Sequence, residues 1–500
     1  MPSIMDICGL FFLEIFMPQL PSIQKLESWI DSYLNFEKTP EKNIFWLDTM
    51  KYFCKKFGHP ENFAPCFHVA GSKGKGSVSK FIASILDKAG FKTGLYTSPH
   101  ILNFIERVSG AQEPFEDEVY ERAVQEIMNG VKSIKTEDLP QGRPVTWFEL
   151  VTLFSFLVFR QAKVDYSVFE VGLGGRLDST NVITPKISVI TPIELEHTEF
   201  LGDTLEKIAF EKGGIIKNNT PVVIARQKPE VRKVFEKIAE EKQSKAIFLD
   251  DEVKNLNFRI KNISNCIHFY TDKPKNGNYI DYNCIKNNTT SEFASFFSLM
   301  DVSFSSKLFS RPLNFSLRMA GSFQAENAAL AAIAVKTVLP QISEEIIEQG
   351  LSKARLPGRF EIIPFPQNYK NLPCLILDGA HTVNSVKFTM ETMSHVFEGS
   401  DNFTLLFACA ADKDCYDIAP LFKDKFRTVF LTKPGNVKQS DLTKLENAFK
   451  ETGIFYDLNE DFEKQIKKAF DYANASNSIL LVTGSFYLIA EVKKFMGKNK

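Results

Sequence analysis

Residues 67–77 read FHVAGSKGKGS, an apolar run that passes directly into a loop with three glycines and two lysines. From Val78 to Ala89 the apolar residues recur every three or four positions, and Gly90 follows them. This spacing predicts a helix that packs against a sheet and ends near the glycine. Strand, glycine-rich loop and helix in this order predict one unit of an α/β domain.

The loop between this strand and helix has the composition of a phosphate-binding site. Glycines let backbone N–H groups approach phosphate oxygens, a helix N-terminus adds partial positive charge, and Lys75 is placed to reach the β- and γ-phosphates of a nucleotide. The usual spacing G-x-x-x-x-G-K-[ST] is not met, because only two residues separate Gly71 from Gly74 and Gly76 follows the lysine. A glycine-rich turn without phosphate chemistry therefore stays open as the alternative.

Short runs of Val, Ile, Leu and Phe, each followed by a turn and a helical pattern, recur along the chain in two groups. This alternation predicts an α/β architecture with mostly parallel, buried strands. The predicted strands are 67–70, 94–97, 166–171, 187–191 and 222–225 in the first group, and 375–377, 404–408, 429–432 and 479–483 in the second. The stretch between the groups, roughly 250–317, predicts an antiparallel or irregular addition to the first domain.

The length of 500 residues predicts two domains. Pro and Gly interrupt any helix at 354–359, and a linker there gives domains at 20–353 and 354–500. Residues 1–19 are predicted to be an N-terminal extension, since they lack the Lys or Arg of a signal peptide and are too short to span a bilayer. Either this extension forms a small interfacial helix or translation starts at Met17, and we favour the second.

Charge and cysteine content disfavour several classes of protein. Lys and Arg number 60 against 61 Asp and Glu, a net charge of -1, so no global field favours nucleic acid or an acidic membrane as a partner. Any anion must then be bound by a local site. The eight cysteines show no CxxC spacing and no dense framework, which favours reduced thiols in a cytoplasmic protein.

Polar residues lie at the ends of several predicted strands, where an open α/β sheet binds its ligand. Ser98, Glu170 and Asp378 each close or directly follow a strand, and His197 comes six residues after another. Oxygen ligands from Ser98 and Glu170 with the imidazole of His197 suit Mg²⁺ or Mn²⁺ held partly by ATP phosphates. Each residue alone is a weak signal, and their shared position is what predicts a metal site.

The segment 203–214 predicts a helix with Asp203 as N-cap, Glu206 closing a capping box, and glycines at its end. Lys212 then lies on the apolar face of this helix. A lysine there is costly to bury unless it is paired or chemically modified. The alternative is a lysine that extends to solvent from the helix end, and the spacing does not decide between the two.

Many ordered segments of the chain are similar to the folylpolyglutamate synthase and dihydrofolate synthase family, relatives of the Mur ligases of cell-wall synthesis. The matching segments are 68–77, 94–100 (GLYTSPH), 104–108 (FIERV), 146–149 (TWFE), 170–181 (EVGLGGRLDSTN), 196–198 (EHT), 211–215 (EKGGI), 327–329 (NAA), 356–359 (LPGR), 378–381 (DGAH), 411–414 (ADKD) and 482–485 (VTGS). The sequence departs from the family pattern at four places. Ser72-Lys73 stand where the family usually has Thr-Asn, Gly213 where it usually has alanine, Glu196 where an aspartate is common, and Thr382-Val383 where Asn-Pro is usual.

The resemblance implies an N-terminal ATPase domain with a mostly parallel sheet and a smaller, Rossmann-like C-terminal domain, with ATP between them. It implies Mg²⁺ ligands at Ser98, Glu170 and His197, and a carbamylated Lys212 that helps to hold a second metal ion. Lys75, Lys212, His197 and Glu170 would be the catalytic group. The implied ATP contacts are Ser72, Lys73, Gly74, Lys75, Gly76, Ser77, Asn327, Arg359, Asp378 and His381. The implied substrate contacts are Thr146, Trp147, Phe148, Glu149, Leu177, Asp178 and Ser179.

The implied reaction transfers the ATP γ-phosphate to a folate carboxylate, and the amine of L-glutamate then attacks the acyl phosphate. The cations neutralise the transferring phosphoryl group, and the main task of the protein is orientation. Dihydropteroate is the implied second acceptor, and the protein is expected to be a monomer with small-molecule substrates only. The alternatives are a Mur-type ligase of cell-wall precursors and a nucleotide-binding homologue without catalysis.

Overall fold

The computed structural model of the chain describes residues 20–35, 46–264, 298–364, 369 and 371–498. Elements are numbered along these residues. The predicted N-terminal extension and the predicted start at Met17 lie outside the described residues.

A seven-stranded sheet forms the centre of the N-terminal half. Its strands are β1 (Cys66–Ala70), β2 (Thr93–Tyr96), β3 (Val108–Gly110), β4 (Tyr166–Glu170), β5 (Ile187–Ile190), β6 (Val222–Ile224) and β7 (Ala246–Phe248). They lie in the order β3-β2-β4-β1-β5-β6-β7, and every pairing is parallel except that of β2 with the edge strand β3. β1, β2, β5 and β6 are buried along their whole length, as expected of strands covered by helices on both faces.

Helices cover this sheet on both faces. They are α1 (Pro21–Ile30), α2 (Asp48–Lys56), α3 (Lys75–Lys88), α4 (Asp117–Lys132), α5 (Trp147–Ala162), α6 (Thr198–Leu201), α7 (Leu205–Gly213), α8 (Pro229–Glu241) and α9 (Leu249–Glu252). Helix α3 buries Val78, Phe81, Ile82 and Ile85 in the core, which is the apolar face predicted from the spacing. It ends at Lys88, just before Gly90, whose φ of 90° is left-handed.

A three-stranded antiparallel sheet follows, with the order β10-β9-β8. Its strands are β8 (Val253–Ile260), β9 (Met300–Ser306) and β10 (Leu313–Leu317). The prediction of an antiparallel addition in this stretch is confirmed for the described strands. Helices α10 (Ser322–Val338) and α11 (Glu344–Lys353) come next, and both pack against α3.

The C-terminal half contains a six-stranded sheet in the order β11-β12-β16-β13-β14-β15, parallel except for the pairing of β11 with β12. Its strands are β11 (Glu361–Pro364), β12 (Cys374–Asp378), β13 (Phe403–Phe407), β14 (Thr428–Leu431), β15 (Tyr456–Leu458) and β16 (Ile479–Thr483). Its helices are α12 (Val383–Val396), α13 (Cys415–Ile418), α14 (Leu442–Thr452), α15 (Phe462–Ala475) and α16 (Phe486–Lys498). The chain passes from α11 to this sheet through residues 354–360, where the linker is predicted.

All nine predicted strands are present, and each pairs in parallel with a neighbour. No predicted strand end differs from the observed end by more than one residue. The sequence prediction missed the short strands β3, β7, β11 and β15. The predicted cap of α7 is wrong: Thr204, not Asp203, is the N-cap and accepts from the Lys207 N–H, while Asp203 pairs with the Lys207 ammonium at 2.7 Å.

Among the described residues, no helix is both long enough and apolar enough to cross a membrane, and the described cysteines are free and buried.

Candidate active site

The glycine-rich loop joins β1 to α3 and is enclosed by residues from two other elements. Gly71 has a φ of 144°, and a Cβ there would lie 1.8 Å from Thr191 Oγ1 at the end of β5. Gly74 has a φ of 87°, and a Cβ there would lie 2.6 Å from Asn327 Oδ1 on α10. Both positions therefore require glycine, for backbone conformation and for space. The loop is held against the sheet edge with its backbone close to neighbouring groups.

Two lysines converge on one carbonyl of this loop. Lys75 Nζ donates to Gly71 O at 3.0 Å, and Lys212 Nζ donates to the same oxygen at 2.8 Å. Lys212 Nζ also lies 2.9 Å from Glu196 Oε1. Burial and then the charge of Lys75 lower the pKa of Lys212 to about 8. Lys212 is thus buried and paired, and of the two alternatives left open by the sequence the solvent-directed lysine is wrong.

Glu170 closes β4 on the other side of the loop. Its Oε2 accepts the Ser98 backbone N–H at 3.1 Å, and a Cβ on Gly76 would lie 3.5 Å from the same oxygen. Burial raises the pKa of Glu170, and the charges of Lys75, Arg359 and Arg107 oppose that rise. The carboxylate therefore lies in the field of several cations while accepting one hydrogen bond from the described residues.

His197 lies on the Lys212 side of the loop, next to Glu196 in sequence. It precedes α6, has a φ of 47°, and is exposed. Loss of solvation lowers the pKa of His197, Glu196 raises it, and Lys75 and Lys212 lower it further. The structure thus brings Lys75, Ser98, Glu170, His197 and Lys212 to one loop, with Glu170 and Ser98 on one side and Lys212 and His197 on the other.

The loop residues of the predicted ATP site are anchored by their neighbours. Ser72 Oγ donates to Glu194 O at 3.1 Å. Ser77 Oγ accepts from Gln324 Nε2 at 3.3 Å, and Gln324 Oε1 in turn accepts from Asn327 at 3.0 Å. Burial lowers the pKa of Lys73, and the negative charges of Glu196 and Glu194 partly offset this decrease.

The residues predicted from the second sheet face this loop from the linker side. Arg359 stacks over the Phe486 ring at 4.2 Å from its centroid, and its charge acts on both Glu170 and Lys73. Asp378 accepts from Phe360 N at 2.7 Å, Ala380 N at 2.9 Å and Thr389 Oγ1 at 3.0 Å. His381 Nδ1 lies 2.7 Å from Gly379 O, and burial lowers the pKa of His381 to about 4.

The predicted substrate residues form two adjoining groups. Thr146 and Glu149 close a capping box at the start of α5, where Glu149 Oε2 accepts from Thr146 N at 2.8 Å and from Thr146 Oγ1 at 2.9 Å. Trp147 lies against the Arg107 guanidinium at 4.8 Å. The Phe148 ring lies against Gly172, where an added Cβ would be 2.5 Å away, so α5 meets the loop that carries the second group.

That second loop is organised by Asp178. Its Oδ2 accepts from Gly172 N at 3.0 Å and Leu173 N at 3.1 Å, and its Oδ1 accepts from Thr180 N at 2.9 Å. Leu177 and Ser179 flank this buried carboxylate and are partly buried themselves. The structure therefore brings the two groups together, but Thr146, Glu149 and Asp178 already have internal hydrogen-bond partners.

Comparison with known proteins identifies the family. The Mur ligase middle domain model matches residues 69–335, and the Mur ligase, glutamate ligase domain model matches residues 358–486. The dihydrofolate synthase/folylpolyglutamate synthase of Bacillus subtilis (strain 168) is 32% identical over 476 residues, with 94% of this chain and 98% of the relative covered. The chain belongs to the dihydrofolate synthase/folylpolyglutamate synthase family.

Solved structures of family members have the same fold. Folylpolyglutamate synthase from Thermotoga maritima is similar with a TM-score of 0.74 and 26% identity, covering 96% of this chain and 97% of that one. E. coli FolC, solved in complex with DHPP and ADP, is similar with a TM-score of 0.72 and 25% identity, covering 97% of this chain and 100% of that one. The Mur ligase fold predicted from the sequence is confirmed.

Relative to this family's pattern, sequence reasoning overlooked three residues that shape the site. In the sequence Glu196 is a departure within the matching segment 196–198 and has no assigned role, yet it is the partner of Lys212. Arg107, within the FIERV segment, is almost fully buried and contacts His100 Nδ1 at 2.7 Å. Glu106 accepts from the backbone N–H groups of residues 101–103, which holds the loop after Ser98. The motif matches contained all three, but one-dimensional spacing does not indicate which partners they meet.

Proposed function

We propose that this protein is a folylpolyglutamate synthase that uses ATP to join the amine of L-glutamate to a folate carboxylate. The observation that carries the proposal is the convergence of Lys75, Lys212 and Glu170 on the glycine-rich loop of a chain that belongs to this family. The folate carboxylate attacks the γ-phosphorus and ADP leaves. The glutamate amine then attacks the acyl carbon, loses a proton and expels phosphate. No protein nucleophile is needed.

The chain's own groups supply charge and orientation for these steps. The Ser72 and Lys73 N–H groups donate to Pro192 O, so the backbone N–H groups from Gly74 onward, at the N-terminus of α3, bind the phosphates. Lys75 exchanges Gly71 O for phosphate oxygens. Arg359, Asp378 and His381 orient ATP from the second sheet, with Asn327 beside the loop. Closure of the predicted domains 20–353 and 354–500 brings these groups together, which matches a reaction that depends on orientation.

A divalent cation fits the Glu170 side of the loop. Buried Glu170 accepts one hydrogen bond from the described residues and has a raised pKa, so a cation beside it would offset the cost of its charge. In the described residues no three His, Cys, Asp or Glu side chains form a metal cluster, so other ligands must complete the shell. We assign Ser98 and Glu170 on this side, and His197 from the Lys212 side of the loop, as Mg²⁺ ligands that act together with ATP phosphates. The metal would neutralise charge on the transferring phosphoryl group.

Lys212 is assigned as a carbamylated lysine that helps to hold a second Mg²⁺. A pKa of about 8 supports this, because carbamylation needs the neutral amine, which adds to CO₂ with loss of one proton. The modification converts a buried cation into a carboxylate. Glu196 holds the unmodified amine in place at 2.9 Å.

The folate side of the site is assigned to residues 146–149 and 177–179. The contact between Phe148 and Gly172 supports this assignment, because it joins the two segments into one wall. Dihydropteroate is proposed as a second acceptor, because relatives are named for both activities and the E. coli protein was solved with DHPP. The protein is proposed to act as a cytoplasmic monomer on small molecules.

Purified protein incubated with ATP, Mg²⁺ and L-glutamate, together with tetrahydrofolate or dihydropteroate, tests the proposal. Mass spectrometry should detect one or more added glutamates, and ATP turnover should require both acceptor and glutamate. ATP turnover without a folate acceptor would favour another substrate, such as a cell-wall precursor. Nucleotide binding without any product would favour a non-catalytic homologue and would contradict the proposed function.

A further inference from the structure

A buried histidine links the strand before the glycine-rich loop to the folate-side loop. His68 lies in β1 and is fully buried. Its Nε2 lies 2.8 Å from Thr180 Oγ1, and Thr180 is also fully buried. Thr180 Oγ1 donates in turn to Asp178 Oδ1. The three side chains form one continuous hydrogen-bonded chain across 112 residues of sequence.

The direction of these hydrogen bonds follows from the donors present. Asp178 accepts three backbone N–H groups, so its carboxylate acts as an acceptor and the single Thr180 hydroxyl proton points to it. Thr180 Oγ1 must then accept from His68, which places the imidazole proton on Nε2. Nδ1 is left as an acceptor, and it has no partner in the part of the chain that the structure describes.

An apolar side chain would fill the His68 position at lower cost. A buried imidazole with one unpaired ring nitrogen loses solvation, and the ladders of β1 with β4 and β5 hold the strand without it. The histidine is therefore poorly explained by packing alone. In the described residues, Thr180 is the one side chain that hydrogen-bonds to His68, so the effect of His68 is exerted through Thr180 on Asp178.

Asp178 determines the shape of the loop 172–179. Its carboxylate holds Gly172 and Leu173 at one end and Thr180 just past the other. Within the loop, Gly175 lies so close to α7 that an added Cβ would be 3.0 Å from Lys212 Cα. A change at Asp178 thus shifts the wall that faces Phe148, whereas the glycine-rich loop is held separately by hydrogen bonds from Ser72 N and Lys73 N to Pro192 O.

We propose that His68 and Thr180 are positioning residues for the acceptor substrate. Through Asp178 they fix loop 172–179 relative to the strand that carries the phosphate loop, and so keep the folate-side wall in the conformation that binds the acceptor. The inference rests on the proposed function, since it takes this loop as part of the folate site. Neither residue needs to touch substrate.

The test compares His68→Leu and Thr180→Val with the conservative variants His68→Gln and Thr180→Ser. Loss of one buried hydrogen bond should raise KM for the folate acceptor about tenfold in the Leu and Val variants, while KM for ATP and kcat change less than about threefold. The Gln and Ser variants, which keep a donor or hydroxyl, should recover most of the lost affinity. The double variant His68→Leu with Thr180→Val should be no worse than the poorer single variant, because both break the same chain.

Calorimetric Kd values for the acceptor, measured with a non-hydrolysable ATP analogue, should rise in the same proportion as KM. Equal losses for acceptor and ATP, failure of both conservative variants to recover, or multiplicative effects in the double variant would each overturn the proposal. Wild-type protein that binds the acceptor without turnover would refute the proposed function, yet the Kd comparison would still decide the role of His68. A wild type that binds no acceptor would overturn both.

Discussion

At the carboxyl edge of the seven-stranded sheet, Lys75 and Lys212 both donate to one backbone carbonyl, and Glu170 accepts one hydrogen bond from the described residues. At the equivalent edge of the six-stranded sheet, Asp378 accepts three hydrogen bonds. The first edge gathers charged groups whose hydrogen-bonding capacity is only partly used. The second edge holds a carboxylate whose partners all lie nearby in its own half of the chain.

This contrast separates groups that act on ligands from groups that maintain the site. A cation that shares one neutral carbonyl can exchange it for a charged phosphate oxygen at low cost, whereas a carboxylate with three donors loses those partners if it moves. The phosphate-loop edge is thus suited to charge stabilisation, and the Asp378 edge to holding Arg359 and the linker in place. Substitutions at the first edge should reduce kcat most, and those at the second should mainly affect binding and stability.

Of these substitutions at the first edge, Lys75→Ala should cause the largest loss of activity. Removing a preorganised cation from a transferring phosphoryl group should lower kcat by about 10³-fold. Product formation measured by mass spectrometry checks this, with Lys88→Ala on the exposed end of the same helix as the control. Near-normal turnover of Lys75→Ala would contradict the phosphate-loop assignment.

Glu170→Gln should come next in effect. The amide keeps the shape and an oxygen but not the charge, so the Mg²⁺ concentration for half-maximal rate should rise by about 10- to 100-fold. A titration of rate against Mg²⁺ measures it, with Glu118→Gln on the exposed face of α4 as the control. An unchanged Mg²⁺ requirement would remove Glu170 from the metal site.

The state of Lys212 can be tested by pH and bicarbonate. The pKa of about 8, lowered from the usual lysine value, means that the neutral amine is the minor form at pH 7 and the major form above pH 8. Carbamylation should therefore increase between pH 7 and pH 9, and added bicarbonate should raise the rate of CO₂-depleted enzyme about tenfold. Lys212→Ala should not respond to bicarbonate. Equal stimulation of this variant would contradict carbamylation.

Much of this site could be predicted from the sequence because backbone periodicity carries the information. The strand before Gly71, the helix after it, and the position of Glu170 at a strand end all follow from local patterns, and the structure has them where they were predicted. The same periodicity predicts that Lys212 lies on the apolar face of its helix, and the structure buries it there. Patterns of this kind report which face a residue occupies.

Partners and caps could not be predicted in the same way. Asp203 and Thr204 are adjacent and both can cap a helix, and only the local backbone and the competing Lys207 ammonium select Thr204. Glu196 meets Lys212 across a turn that spacing does not define. Asp178 and Glu149 are predicted substrate contacts that also organise their own loops, which depends on three-dimensional proximity.

Asp378→Asn should have the smallest effect on rate and should sharpen the contrast between the two edges. The amide nitrogen cannot accept from Phe360 N, Ala380 N or Thr389 Oγ1, so at least one of these three donors loses its partner, and Arg359 loses a nearby negative charge. We expect KM for ATP to rise about tenfold, kcat to stay within about threefold, and the free energy of unfolding to fall by about 1–3 kcal/mol.

Steady-state kinetics and denaturant unfolding measure these quantities, with exposed Asp417→Asn as the matched control. A kcat loss as large as that of Lys75→Ala would mean that Asp378 acts on the transferring phosphoryl group itself. The two edges would then share one role, because a carboxylate with three internal donors would be taking part in phosphoryl transfer and not only in ATP binding.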